Sequence, residues 1–231
     1  VDPTRGSSDV VNARKALINA EIASAEEQGI PVENVLEYKF KLEPTIEALT
    51  VVPDNFSASW VLELAEKKEY DLIVIDTPGV KNNDAANFDP RLITKTGNPH
   101  ITASYVSNLT IIPTGTSNID LVKMIAFTQP LMAFLGALNY SNQSVVNNQY
   151  RVLANRVEKQ GSGLKELAQA KEEVLFNWFT NGIRRSEKIT ANTSTKHTGT
   201  VFSNNTAKQI NIAFLELVDE IYSDIQNSVE K

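Results

Sequence analysis

Tyr70-Asp71-Leu72-Ile73-Val74-Ile75-Asp76-Thr77-Pro78-Gly79 is the stretch on which the reading of this chain turns. Its aliphatic run, residues 72–75, predicts a short strand buried on both faces, the pattern of the middle of a parallel sheet. The run stops at a carboxylate, and Thr77-Pro78-Gly79 forces a turn. Open α/β sheets bind ligands at the carboxyl ends of such strands, where an acidic residue can hold the magnesium of a bound nucleoside triphosphate. The same residues also suit a plain strand end whose Asp caps the next segment.

Immediately upstream, residues 57–68 read as a helix with Trp60, Val61, Leu64 and Ala65 inward and Glu63, Glu66 and Lys67 outward. It feeds straight into the strand, as in a crossover unit. Further back, residues 1–9 look like the exit of a strand. A helix over 9–28 follows, with Val10, Ala13, Leu17, Ala20 and Ala23 on one face, and Gly29 with Ile30-Pro31 should stop it. A short strand over 35–40 and a short helix to Leu49 complete this part.

Downstream comes a long polar stretch, 81–100, with a helical turn expected from Asp89 or Pro90 to Ile93 and another ending at 104–106. Residues 109–114 form a second buried strand, and Ser117 or Asn118 caps a helix to about Leu138, with a kink or break predicted at Gln129-Pro130. A third strand spans 150–157, followed by a Gly161-Ser162-Gly163 loop and a helix over 164–179. Residues 183–189 are strand-like, 190–200 a polar loop. The last helix, about 206–229, should turn Ile210, Ala213, Phe214, Leu217, Ile221 and Ile225 to one side.

A chain of 231 residues that is 42% hydrophobic suits one large α/β domain. No run reaches the ~18–20 apolar residues of a membrane span, and the first residues do not read as a signal peptide. Without cysteine there are no disulfides, thiol nucleophiles or Cys-bound zinc, which fits a cytoplasmic setting. The two histidines, His100 and His197, are expected in loops and form no metal pair. The net charge of −6 hides an asymmetry. Residues 1–80 carry 7 basic and 15 acidic side chains, a net of −8, whereas 151–196 carry 9 and 5, a net of +4. Contact with a polyanion is therefore sought in the second half.

Four segments in order carry a family resemblance: an Asp2-Pro3 loop ending in Ser7-Ser8, the strand ending Asp76-Thr77-Pro78-Gly79, the strand ending Ile112-Pro113-Thr114, and the strand ending Asn155-Arg156. Together they resemble the ParA/MinD family of deviant-P-loop partition and positioning ATPases, over nearly the whole chain. Ile183-Arg184-Arg185 and the loop 198–202 before the last helix look alike too. The resemblance implies a three-layer α/β fold, a mostly parallel sheet flanked by helices, with residues 1–231 forming a single nucleotide-binding domain. It implies ATP and Mg2+ as cofactors and an ATP-dependent homodimer. Its partners would be non-specific DNA and a partition adaptor protein, with no membrane.

Residue by residue, Asp2 resembles the switch acid that helps position the attacking water, and Asp76 the carboxylate on magnesium, with 77–79 as a second switch. Asn155 resembles the adenine-contacting Asn, and Pro113 and Thr114 the loop beside the nucleotide. Arg184, Arg185, Lys188 and Lys196 are the candidates for DNA contact, with an ordinary solvated surface as the other reading. One departure is severe: none of the ten glycines is followed by Lys, so the family's P-loop is missing. The expectation is a member without its amino-terminal strand–P-loop–helix unit, an ATPase when complete and inactive as this chain alone. The alternative is a non-catalytic homologue that only binds partners.

Overall fold

β2 (Gln149–Val157) is the middle strand of a three-stranded sheet, with β1 (Leu109–Thr114) on one side and β3 (Ile183–Arg184) on the other, both parallel to it. The computed structural model describes residues 22–31, 55–77, 99–141, 149–157, 161–173, 176–184 and 205–229, with a few isolated positions before 55. Parallel neighbours need crossovers. α3 (Asn118–Tyr140) joins β1 to β2, and α4 (Ser162–Glu173) joins β2 to β3. Further helices are α1 (Ala58–Glu66), α2 (Pro99–Val106) and α5 (Asn205–Val229), besides the helical residues 22–27.

Side-chain alternation along β2 separates two cores. Val152 and Ala154 pack with Leu131, Leu135, Leu167 and Ala170 of α3 and α4, whereas Leu153 turns the other way onto Phe179 and Leu217. With helices on both faces, the chain is a small parallel sheet inside a three-layer α/β arrangement, the coarse class expected. α3 supplies the largest buried row, including Leu121, Met124, Leu131, Phe134, Leu135 and Leu138. Each such side chain contributes roughly 1.5–3 kcal/mol relative to exposure.

Several local expectations hold. Helix 22–27 ends in Gly29 at φ 66°, with Ile30 N–H donating to Ala25 O at 2.9 Å and Gly29 N–H to Glu26 O at 3.1 Å. That is a Schellman cap, open to glycine because it lacks the clashing Cβ. Ser57 caps α1 by accepting from Trp60 N–H at 3.3 Å.

Other expectations need correction. Residues 72–75 join no β-ladder among the described residues, and Leu72 and Val74 are 57% and 80% exposed, so the predicted strand is not buried on both faces. Among the described residues, Ile75 finds a core, against Phe56, Val61, Ala103 and Val106. The helix expected over 164–179 ends at Glu173, and Trp178 instead bridges to Val152 in parallel. The aromatic run after it suits a strand better than a helix. α3 runs unbroken through Pro130. The lost N–H is the one that would have met Ala126 O, and Ala126 is exposed. That same helix is long and apolar enough to cross a membrane, which the sequence reading missed because polar residues interrupt it; its buried row is the core face above. Ala65 is exposed, and so are Ala20 and Ala23. The expected strand 35–40, the helical turn from 89 or 90 to 93 and the loop 190–200 lie outside the described residues.

α5 is clamped to the sheet through Arg151. Its guanidinium donates to Asp224 at 2.8 Å, to Glu220 and to Trp178 O at 2.7 Å, and lies 4.5 Å over the Phe179 ring. Glu220 also accepts from Thr180 N–H at 3.1 Å. A cation inside a strand thus has two carboxylates, one carbonyl and one π-face.

Candidate functional site

The register decides which strand ends meet. Thr114 is opposite Ala154, so Asn155 is one step beyond Thr114's partner, and both stand at the carboxyl ends of neighbouring parallel strands. Thr114 is buried, and its hydroxyl donates to Gly115 O at 3.2 Å and Asp120 O at 3.3 Å, which ties the turn to the first turn of α3. Ser117 completes that turn: its hydroxyl accepts from Asp120 N–H at 3.2 Å and donates to Asp120 Oδ2 at 2.7 Å. This is an N-cap by Ser117, with the Asp120 carboxylate returning to the Ser117 hydroxyl. Pro113 is exposed.

Asn155 sits at an irregularity. The pairing of β2 with β3 shifts between Asn155 and Val157, and Arg156 takes φ 55°, the left-handed region. The Asn155 side chain supports this bend by accepting from Arg156 N–H at 2.8 Å. Bulges of this kind re-aim side chains beside functional sites. The next close approach is at Gly163: a Cβ there would meet Thr116 Oγ1 at 2.9 Å and Thr116 O at 3.2 Å. Glycine therefore lets the first turn of α4 touch the loop after β1. The loop after β1, the end of β2 and the start of α4 converge on one end of the sheet. Thr116 and Gly163 went unnoticed in the sequence, where a glycine before a helix reads only as a loop.

Asp76 is exposed, near the end of the segment 72–77. Beside it, Thr77 Oγ1 and His100 Nδ1 are 3.0 Å apart, and the His100 ring stands edge-on to Phe127 of α3 at 6.1 Å. His100 is thus a buried residue of α2 and not a loop residue, because the helix starts one position earlier, at Pro99. Among the described residues no group of three or more His, Asp or Glu gathers around a metal position. An exposed carboxylate such as Asp76 still suits magnesium, which takes one or two carboxylates and completes its shell with phosphate oxygens and water. Asp2, Pro78, Gly79, Arg185, Lys188 and Lys196 lie outside the described residues. Arg184 is exposed on β3 and makes no ion pair among the described residues.

A cavity of about 430 Å³ opens between α4, α5 and β3, lined among others by Ala154, Leu167, Lys171, Arg184, Ile212 and Glu216. Thr114 and Asn155 are not part of its wall, so it is separate from the strand-end site. Arg151 was also missed as a residue of consequence. Its signal was legible in an arginine within an apolar strand, and in Glu220 and Asp224 four apart on the last helix. No protein-family model matches this chain, and no curated protein matches it.

Proposed function

We propose that this chain is the larger part of a ParA-like ATPase, in which ATP and magnesium hold a homodimer that binds DNA without reading sequence. The observation that carries the reading is that Thr114 ends β1 and Asn155 stands two residues before the end of β2, one residue apart in register near the carboxyl ends of adjacent parallel strands, where open α/β sheets take ligands. Asn155 can both donate to and accept from an adenine edge, while Pro113 and Thr114 border the same end. Asp76 would hold the magnesium, which neutralises charge on the transferred phosphate when bound. Asp2 would orient the attacking water. A P-loop unit ahead of Val1 would supply the phosphate-binding N–H groups and lysine. Arg184, with Arg185, Lys188 and Lys196, would meet DNA phosphates, and a dimer would double that weak patch. The second reading, a partner-binding homologue without catalysis, draws on the missing Gly-Lys pair.

Calorimetry with ATP and magnesium separates the readings. The 231-residue chain alone should show no binding, and the form with a P-loop unit ahead of Val1 should bind and hydrolyse ATP. In that form Asp76→Ala should abolish magnesium-dependent turnover, and Asp2→Ala should slow it by about 10²-fold while binding persists. Micromolar binding by the 231-residue chain would show the nucleotide site to be elsewhere. Failure of the extended form to hydrolyse ATP would favour the non-catalytic reading. Arg184→Ala with Arg185→Ala should flatten the salt dependence of DNA binding and leave dimerisation intact.

A further inference from the structure

Asp76 stands between two inward-facing residues. Exposure alternates along this stretch: Ile73, Ile75 and Thr77 are partly buried, whereas Val74 and Asp76 are exposed. One residue before Asp76, Ile75 packs with Phe56, Val61, Ala103 and Val106. One residue after it, Thr77 Oγ1 lies 3.0 Å from Nδ1 of His100, 23 positions further along the chain. Residues 72–77 join no β-ladder among the described residues, so side-chain anchors of this kind matter more to where the backbone sits.

His100 is the fixed end of that contact. It is 8% exposed in α2, and its ring stands edge-on to Phe127 of α3 at 6.1 Å. The first turn of α3 in turn accepts from the Thr114 hydroxyl through Asp120 O at 3.3 Å. Contacts therefore run from the end of β1, along α3 and through His100, to the residue next to Asp76. A phenylalanine would fill the same space without nitrogens that need partners in a buried place. Nδ1 can accept from the Thr77 hydroxyl or donate to it, according to the tautomer, and either bond holds Thr77.

We propose that His100 is a positioning residue: through its hydrogen bond to Thr77 it fixes the backbone at Asp76, and with it the place where the carboxylate is presented. That the carboxylate there meets magnesium rests on the ATPase reading above; the fixing does not. Functional side chains must be held within roughly 0.5 Å of their productive place. A shift of about 1 Å can lower a rate by about 10²-fold.

Two substitutions separate hydrogen bonding from packing. His100→Phe keeps the ring but has no nitrogen, while His100→Asn loses the ring and keeps a polar atom near the place of Nδ1. Thr77→Val removes the other partner at little change in volume, and circular dichroism checks that each variant folds. The first measurement is 15N relaxation on the 231-residue chain, which needs no nucleotide. Asp76 and Thr77 should keep order parameters near the rigid value of about 0.85 in the parent and in His100→Asn, and fall below about 0.6 in His100→Phe and in Thr77→Val. The second is ATP hydrolysis by the form with a P-loop unit ahead of Val1. There His100→Phe should raise the half-saturating magnesium concentration at least about fivefold and lower kcat about tenfold, with KM for ATP little changed. Combining it with Thr77→Val should add nothing to the loss from Thr77→Val alone. Rigid Asp76 and Thr77 in both His100→Phe and Thr77→Val would overturn the proposal. So would a larger loss in His100→Asn than in His100→Phe, the order that packing alone dictates. An extended form that hydrolyses ATP with the same magnesium dependence in His100→Phe would overturn it too. An extended form that hydrolyses no ATP would instead remove the ATPase reading, and the relaxation result would then decide the role of His100 by itself.

Discussion

Leu72-Ile73-Val74-Ile75 and Leu109-Thr110-Ile111-Ile112 are nearly interchangeable as sequences, yet they end up differently. Residues 109–114 ladder onto β2 and bury Ile112 and Thr114, while residues 72–75 join no ladder among the described residues and leave Val74 80% exposed. The two stretches have the same intrinsic taste for extended backbone. What separates them is company. β1 has a parallel neighbour and the long α3 across its face, whereas the other segment has only Ile75 against α1 and α2. Strand character is local, but burial on two faces needs a partner at the edge and a layer on each side.

The comparison can be strained hardest at Arg151, the fastening of the paired half. Arg151→Ala should destabilise by about 2–4 kcal/mol, because Glu220 and Asp224 would be left side by side without their cation. Adding Glu220→Gln should recover part of that loss in a double-mutant cycle by urea unfolding. Purely additive losses would mean that the pair does not act as a clamp. Next come two valines of opposite fate. Val152, fully buried between the helical layers, should cost about 2–3 kcal/mol as Val152→Ala. Val74→Ala should stay within about 0.5 kcal/mol, the range of an exposed site. Equal costs at the two sites would mean that 72–77 is packed in solution as β2 is.

Much of the layered fold was legible. Two of the strands announce themselves as apolar runs at 109–112 and 152–154, and Gly29, Ser57 and Ser117 punctuate the helices through local chemistry that needs no tertiary information. The departures share a cause, since each depended on contacts distant in sequence. Trp178 leaves the helical pattern to bridge Val152, and His100 is buried by Thr77 and Phe127. Residues 72–75 carry a strand's pattern but not the neighbour that would complete it. At the candidate site, Thr114 and Asn155 were visible as strand ends. That Thr116 and Gly163 touch was not, because that contact follows from the register of β1 on β2.

Residue-resolved amide exchange tests the comparison at its root. In the 231-residue chain, Ile73, Val74 and Ile75 should exchange at least about a hundredfold faster than Val152, whose N–H donates to Asn177 O at 2.7 Å. With a P-loop unit ahead of Val1, the account predicts that these three amides slow towards the Val152 rate as the segment gains its ladder. Slow exchange in the 231-residue chain, or fast exchange that persists beside the added unit, would contradict it.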